Sequence, residues 1–350
     1  MKAKKKITSL DIAYLAGVSQ ATVSRALSGN PSVNEETRRR VLAAAESLKY
    51  TVNKNASSLR RKHAGTLALL FFEDPTADDS HINPFFLSML GSITRACARQ
   101  GFDLLISFQQ LSRDWHADFA ESEKADGIIL LGYGDYLSYC DRLEQLVARG
   151  TSFVRWGAVQ PETPYVTIGC DNFQGGRAVA AHLLEQGCRR IAFLGTASSH
   201  YPEFFERYRG YARALEERGI EINPALQVDA ESTQSSGQEA MEMLIASGEK
   251  FDAVFAASDL IAIGALGTLS NYGMLVPEEV ALAGFDDIPM AEFVNPPLTT
   301  VLQDTRQAGE ALVGALLQLI RGEPVQSSVL PARLKVRRSS LHSEAGPSRY

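Results

Sequence analysis

Ser9 to Ser28 reads SLDIAYLAGVSQATVSRALS. Wound as a helix, its first half sets Ile12, Ala13 and Ala16 on one face. Gly17 then stands where a tight turn needs positive φ, and beyond Val18 a second helical stretch turns Val23 and Ala26 inward. Two short helices joined this tightly make a helix-turn-helix, with small Ala13 permitting the close crossing. The free side of the second helix offers Ser19, Gln20, Ala21, Thr22, Ser24 and Arg25. These are short polar groups plus one guanidinium, suited to base edges and phosphates in a major groove. On pattern alone an ordinary helical hairpin competes with this reading.

The next stretch, SVNEETRRRVLAAAESLKY from Ser32, predicts a third helix. Asn34 can cap it, Glu35 and Glu36 suit its first turn, and Val41, Leu42, Ala45 and Leu48 form its inward stripe. Charge sets this region apart. Residues 1–62 hold 13 Lys or Arg against 4 Asp or Glu, while the remaining 288 hold 22 against 37. A basic module on an acidic body suits phosphate binding, because the body is repelled by the polyanion that the module neutralises. A solubilising basic tail would show the same asymmetry.

The run DIAYLAGVSQATVSRALSGNPSVNEETRRRVLAAAESLKYTVNKNASSLR, Asp11 to Arg60, resembles the headpiece and hinge of the bacterial LacI/GalR repressor family, with the likeness beginning at Ile7. The resemblance implies a dimer whose second helix reads an operator half-site, with Thr8 and Asn34 also at the DNA. It further implies a hinge helix within 51–64 in which Asn53, Asn55, Ala56 and Ser57 flank Leu59, the minor-groove wedge. Two positions depart from the pattern: Val52 replaces a proline and Ser57 an arginine. A helix of about seven residues is unstable alone in water, so the hinge should order only on DNA. A flexible basic linker is the alternative.

From Gly65 the chain alternates apolar runs with amphipathic segments. TLALLFF, FDLLISF, DGIILLG, SFVRW, VTIGC, RIAFLG, DAVFAAS and VALAGF are predicted strands, and the strand–helix rhythm signals parallel sheets. The expected fold class is α/β: a three-helix helix-turn-helix headpiece (1–50) plus hinge helix, then two doubly wound parallel-sheet lobes. One lobe is expected over 65–165 and 291–322, the other over 166–290 and 323–338, with a disordered tail at 339–350. The body motifs NPFF (Asn83–Phe86), GCDNFQGGRAVAAHLLEQGCRRIAFLG (Gly169–Gly195), ASDLIAIGAL (from Ala257) and VPEEVALAGFDD (from Val276) extend the resemblance to about Arg338. It implies lobes similar to periplasmic sugar-binding proteins, three chain crossings, and an effector pocket at Asn83, Phe85, Phe86, the end of SFVRWG, Arg207, Ser258 and Asp286. Here Gly157 fills a place where sugar-responsive members often carry aspartate, and Ser258 one where asparagine is common. Arg155 and Trp156 approach the cleft instead. If both point into the core, Arg155 needs an acidic partner. Arg207 has a competing structural role, pairing with Glu203 or Glu206 on a surface helix.

Other classes find little support. His81, His116, His182 and His200 lack helix-spaced ligand pairs, no GxGxxG follows a strand, and neither catalytic residues, metal ligands nor a cofactor are expected. Cys97, Cys140, Cys170 and Cys188 show no paired spacing, as in a reducing compartment. No signal-like apolar run follows the basic start, and no stretch approaches the roughly 20 apolar residues of a membrane helix, so a cytoplasmic protein is expected. The tail from Ser339 has no leucine heptads. The expected partners are near-palindromic operator DNA, a second copy of the chain and a small carbohydrate. An anionic metabolite drawn by Arg155 and Arg207, and action as an activator, remain open alternatives.

Overall fold

The computed structural model describes residues 7–27, 30–50, 63–72 and 82–341. The chain divides into two units, Met1–Ala64 and Gly65–Tyr350.

In the first unit, α1 (Ser9–Ala16), α2 (Gln20–Leu27) and α3 (Glu35–Ser47) pack around Ile12, Val23 and Val41, all fully buried. The Asp11 carboxylate accepts from both the N–H and the hydroxyl of Thr8 at 2.7 Å, fixing the start of α1. Gly17 ends it at φ +64°, where a side chain would be strained. Asn34 accepts the Thr37 N–H at 2.8 Å and starts α3. One expectation is corrected. Leu42 is 49% exposed and Ala44 takes its place inside, because the stripe Val41, Ala44, Ala45 follows the helical repeat and Leu42 is rotated off it.

In the second unit, all eight predicted strands form. The first sheet has six parallel strands in the order β11-β5-β4-β3-β1-β2: β1 (Thr66–Phe71), β2 (Asp103–Phe108), β3 (Gly127–Leu131), β4 (Phe153–Trp156), β5 (Val166–Cys170) and β11 (Ser328–Leu330). Helix α4 (Pro84–Gln100) lies with β1 and β2, and α5 (Cys140–Ala148) precedes β4. The second sheet runs β7-β6-β8-β9: β6 (Ile191–Leu194), β7 (Gln227–Val228), β8 (Ala253–Ala256) and β9 (Ala281–Ala283). It is wrapped by α6 (Asn172–Glu185), α7 (Pro202–Glu217), α8 (Gln234–Ala246) and α9 (Asp259–Asn271). The ribbon β10 (Thr300–Gln303) and β12 (Ala332–Lys335) continues from β9 through bridges at Thr299 and Leu302, while α10 (Thr305–Ile320) returns to the first sheet beside α4.

These pairings move the expected lobe boundaries. Strand β5 pairs with β4 and β11 with β5, so 166–170 and 328–330 belong to the first sheet, not the second lobe. Segment 299–303 bridges to the second sheet, leaving α10 as the returning piece of the first lobe. The disordered tail expected over 339–350 is corrected at its first residues, the rest lying outside the described residues. Ser339 and Ser340 are fully buried, Ser339 donating to the Leu282 carbonyl at 2.6 Å and Ser340 sharing hydrogen bonds with His182 and Thr299. Buried hydroxyls with partners anchor the backbone, and those partners come from residues distant in the sequence. Among the described residues no helix is long and apolar enough to cross a membrane.

Candidate functional site

Side chains that follow strands of the two sheets meet: Tyr133, just after β3, donates to Asp286, just after β9, at 3.0 Å. Arg207, on α7, is fully buried. It donates from Nε to Asn172 Oδ1 (2.9 Å), from Nη1 to the Ala257 carbonyl and Asp286 Oδ1 (3.4 Å), and from Nη2 to the Tyr133 hydroxyl (2.8 Å), with the Phe285 ring centroid 3.9 Å from its guanidinium carbon. The pairing with Glu203 or Glu206 on a surface helix is therefore wrong for Arg207. A buried guanidinium must meet its counter-ion inside, and Asp286 supplies it.

Asp286 has φ +113°, a strained value for a non-glycine residue. Its Oδ1 accepts from Tyr133 (3.0 Å) and Gln303 (2.7 Å) as well as from Arg207. Burial pushes its carboxyl up to about 6 although Arg207 and these donors oppose the shift. Burial pushes the Tyr133 hydroxyl well above its ordinary value too, so it keeps its proton and donates to Asp286.

A second polar chain crosses the cleft. Asn83 caps α4 by accepting the Phe85 N–H at 2.9 Å and donates to Ser232 Oγ at 3.1 Å; Ser232 in turn donates to Ser258 Oγ at 2.9 Å. Between the polar groups stand aromatic rings: Phe85 and Tyr133 are parallel at 6.1 Å, Phe86 meets Tyr133 edge-on at 4.8 Å, and Trp156 tilts against Phe85 at 6.2 Å. All four are buried. A cavity of about 190 Å³ opens beside Phe85, Asp286, Gln303 and Thr305.

Strand alternation separates Trp156 from Arg155: Trp156 joins the core shared with α4, and Arg155 points to the other face. The acidic partner that a buried Arg155 requires is Glu203, Nη2 to Oε1 at 3.3 Å.

The structure thus brings Asn83, Phe85, Phe86, Trp156, Arg207, Ser258 and Asp286 together, with Arg155 at the margin. Tyr133, Gln303 and Ser232 were missed, and Glu203 was named only as a partner for Arg207, whereas it pairs with Arg155. Tyr133 carried a signal, since it follows directly after strand DGIILLG, where ligand-facing groups are expected.

In the headpiece, Thr8, Ser19, Gln20, Ala21, Arg25 and Asn34 are exposed, and Thr22 and Ser24 half-buried. Ser19 caps α2, accepting the Thr22 N–H at 3.1 Å, and Gln20 Nε2 donates to Ser9 Oγ at 2.8 Å. An N-terminus capped by serine presents its free N–H groups to an anion such as DNA phosphate. Asn53, Asn55, Ala56, Ser57 and Leu59 lie outside the described residues, as does His81.

A family described as "Bacterial regulatory proteins, lacI family" matches residues 8–53, and "Periplasmic binding protein-like domain" matches 180–340. The chain is 32% identical over 346 residues to the HTH-type transcriptional regulator CelR of Thermobifida fusca, covering 97% of this chain and 100% of that protein. It is 31% identical over 333 residues to the HTH-type transcriptional repressor CytR of Escherichia coli (strain K12), covering 93% and 94%. The solved transcriptional regulator CelR–cellobiose complex superposes at TM-score 0.70 with 31% identity, over 95% of this chain and 99% of that one. A helix-turn-helix unit followed by a two-sheet body with a polar cleft defines a ligand-responsive regulator. The chain belongs to the lacI family of bacterial regulatory proteins and is a transcriptional regulator.

Proposed function

We propose that the protein is a cytoplasmic repressor. As a homodimer it binds a near-palindromic operator, and a neutral sugar held between its two sheets changes its operator affinity. The observation that carries the choice of effector is the charge balance of the cleft: Arg207 faces Asp286 and Arg155 faces Glu203, so neither guanidinium offers an anion an unpaired positive charge. Clustered rings and polar groups, with hydrogen-bond donors and acceptors on both sheets, suit a polyhydroxylated ring. The relative CelR, which binds cellobiose in its solved complex, supports the same ligand class.

On this reading Phe85, Phe86 and Trp156 stack on the apolar face of the ring, while Arg207, Asp286, Asn83 and Ser258 take its hydroxyls. In the headpiece Gln20 and Ala21 read base edges; Thr8, Ser19, Ser24 and Asn34 hold phosphates. Thr22 and Arg25 complete the reading face, and the hinge residues Asn53, Asn55, Ala56, Ser57 and Leu59 act in the minor groove. Titrating purified protein on operator DNA with neutral and acidic sugars at two salt concentrations tests the proposal. Release by a neutral sugar, insensitive to salt, is expected. Release only by acids, weakening steeply with salt, would replace it with the anionic alternative.

A further inference from the structure

Arg155 is 3% exposed in its side chain, and its partner Glu203 5%. The pair makes one long contact, and Arg155 Nη1 has no hydrogen-bond partner. Thr167, opposite Arg155 in the β4–β5 register, likewise has a buried hydroxyl without a partner. Two unsatisfied buried polar groups on adjacent strands are costly unless a ligand group satisfies them. Glu203 cannot do so. It enters from the first turn of α7, and its Oε1 also accepts the Ala158 N–H at 2.8 Å, so it meets only one edge of a guanidinium that would ordinarily grip a carboxylate at two points. Gly157 makes room for this arrangement, since a Cβ there would lie 2.2 Å from Arg155 Nη2 and 2.7 Å from Glu203 Oε1.

We propose that Arg155 is a ligand subsite of the cleft and that Glu203, by occupying one edge of its guanidinium, determines the class of effector: a neutral hydroxyl is taken at Nη1 and Thr167, and a carboxylate is excluded. The inference rests on the cleft being the effector site. A carboxylate ligand would have to displace Glu203 and leave that buried charge without its cation, whereas a hydroxyl needs only Nη1, which has no hydrogen-bond partner in the protein.

The test uses the full chain with acetate as probe. Removing the resident carboxylate in Glu203→Ala should open a site that acetate fills, seen as a saturable rise in melting temperature at least tenfold more sensitive to acetate than in wild type. The double variant Arg155→Met, Glu203→Ala should lose it. Glu203→Gln, which keeps the side-chain volume, should shift operator release at least tenfold toward the uronic acid counterpart of an active neutral sugar. If Glu203→Ala responds to acetate no more than wild type, if the double variant responds as strongly as Glu203→Ala, or if Glu203→Gln shows no shift toward the uronic acid, the inference falls. Acetate stabilisation through Arg155 with no sugar response in any variant would instead remove the effector reading and leave the Glu203-guarded anion site standing.

Discussion

Arg207 carries a full charge with no exposed surface, and everything that satisfies it comes from strand ends, loops and the first residue of α6, far away in the sequence. Arg207→Ala should keep operator binding while abolishing the effector response. It should also lower body stability by about 3–5 kcal/mol, because Asp286 is left as an unpaired buried charge; operator titration and urea denaturation check the two halves. Asp286 adds a pH dependence. Its folded-state carboxyl, near 6, lies above the roughly 3.9 of an unfolded chain, so between those values the native state holds a proton that the unfolded state has lost. Its contribution to stability is therefore greatest below about pH 4 and is lost as pH rises through 6. The stability of wild type relative to Asp286→Asn should drop by roughly 1–3 kcal/mol between pH 4 and 7, which urea curves across that range will measure. At this scale the sequence was partly legible. Arg207 and Asp286 stand in recognisable motifs, but Gln303 and Ser232 reach the site by pairings between distant strands that no local pattern encodes.

Helices α6 and α7 pack closely because two glycines leave their contact bare. A Cβ at Gly176 would sit 2.1 Å from the Arg207 carbonyl oxygen, and one at Gly210 would sit 2.0 Å from that of Phe173. The obstacle is backbone in both cases, so α7 itself would have to move, carrying Arg207 and Glu203 with it. Gly176→Ala should destabilise the body by about 1–3 kcal/mol and weaken effector binding more than an equally destabilising change on the outer face of α8; paired thermal melts and ligand titrations separate the two. Strands were the most legible elements because the sheets are buried, so they read as apolar runs. The four strands not anticipated, β7, β10, β11 and β12, are short or lie at edges. Around Pro331 the sequence SVLPARLK interrupts any strand pattern, and β11 and β12 acquire their partners only from β5 and β10.

For the whole molecule, the charge division and the repeated strand–helix rhythm were visible in the sequence, whereas the places where the chain changes sheet were not. A ligand bridging both sheets can shift operator affinity only by its differential affinity for their arrangements. Effector and operator should therefore alter each other's affinity by one common factor, expected at about 1–3 kcal/mol. Calorimetric titration of the effector with and without operator checks that equality. The route of the chain also governs assembly on the ribosome. The second sheet is built from one uninterrupted stretch, 191–283, but the first waits for α10 and for β11, which ends at Leu330. The half synthesised first is thus finished last, and until residues near 320 emerge, the flank of α4 that α10 covers stays bare in the nascent chain. Synthesis of this regulator has a late window in which chaperones, rather than its own helix, must shield that surface.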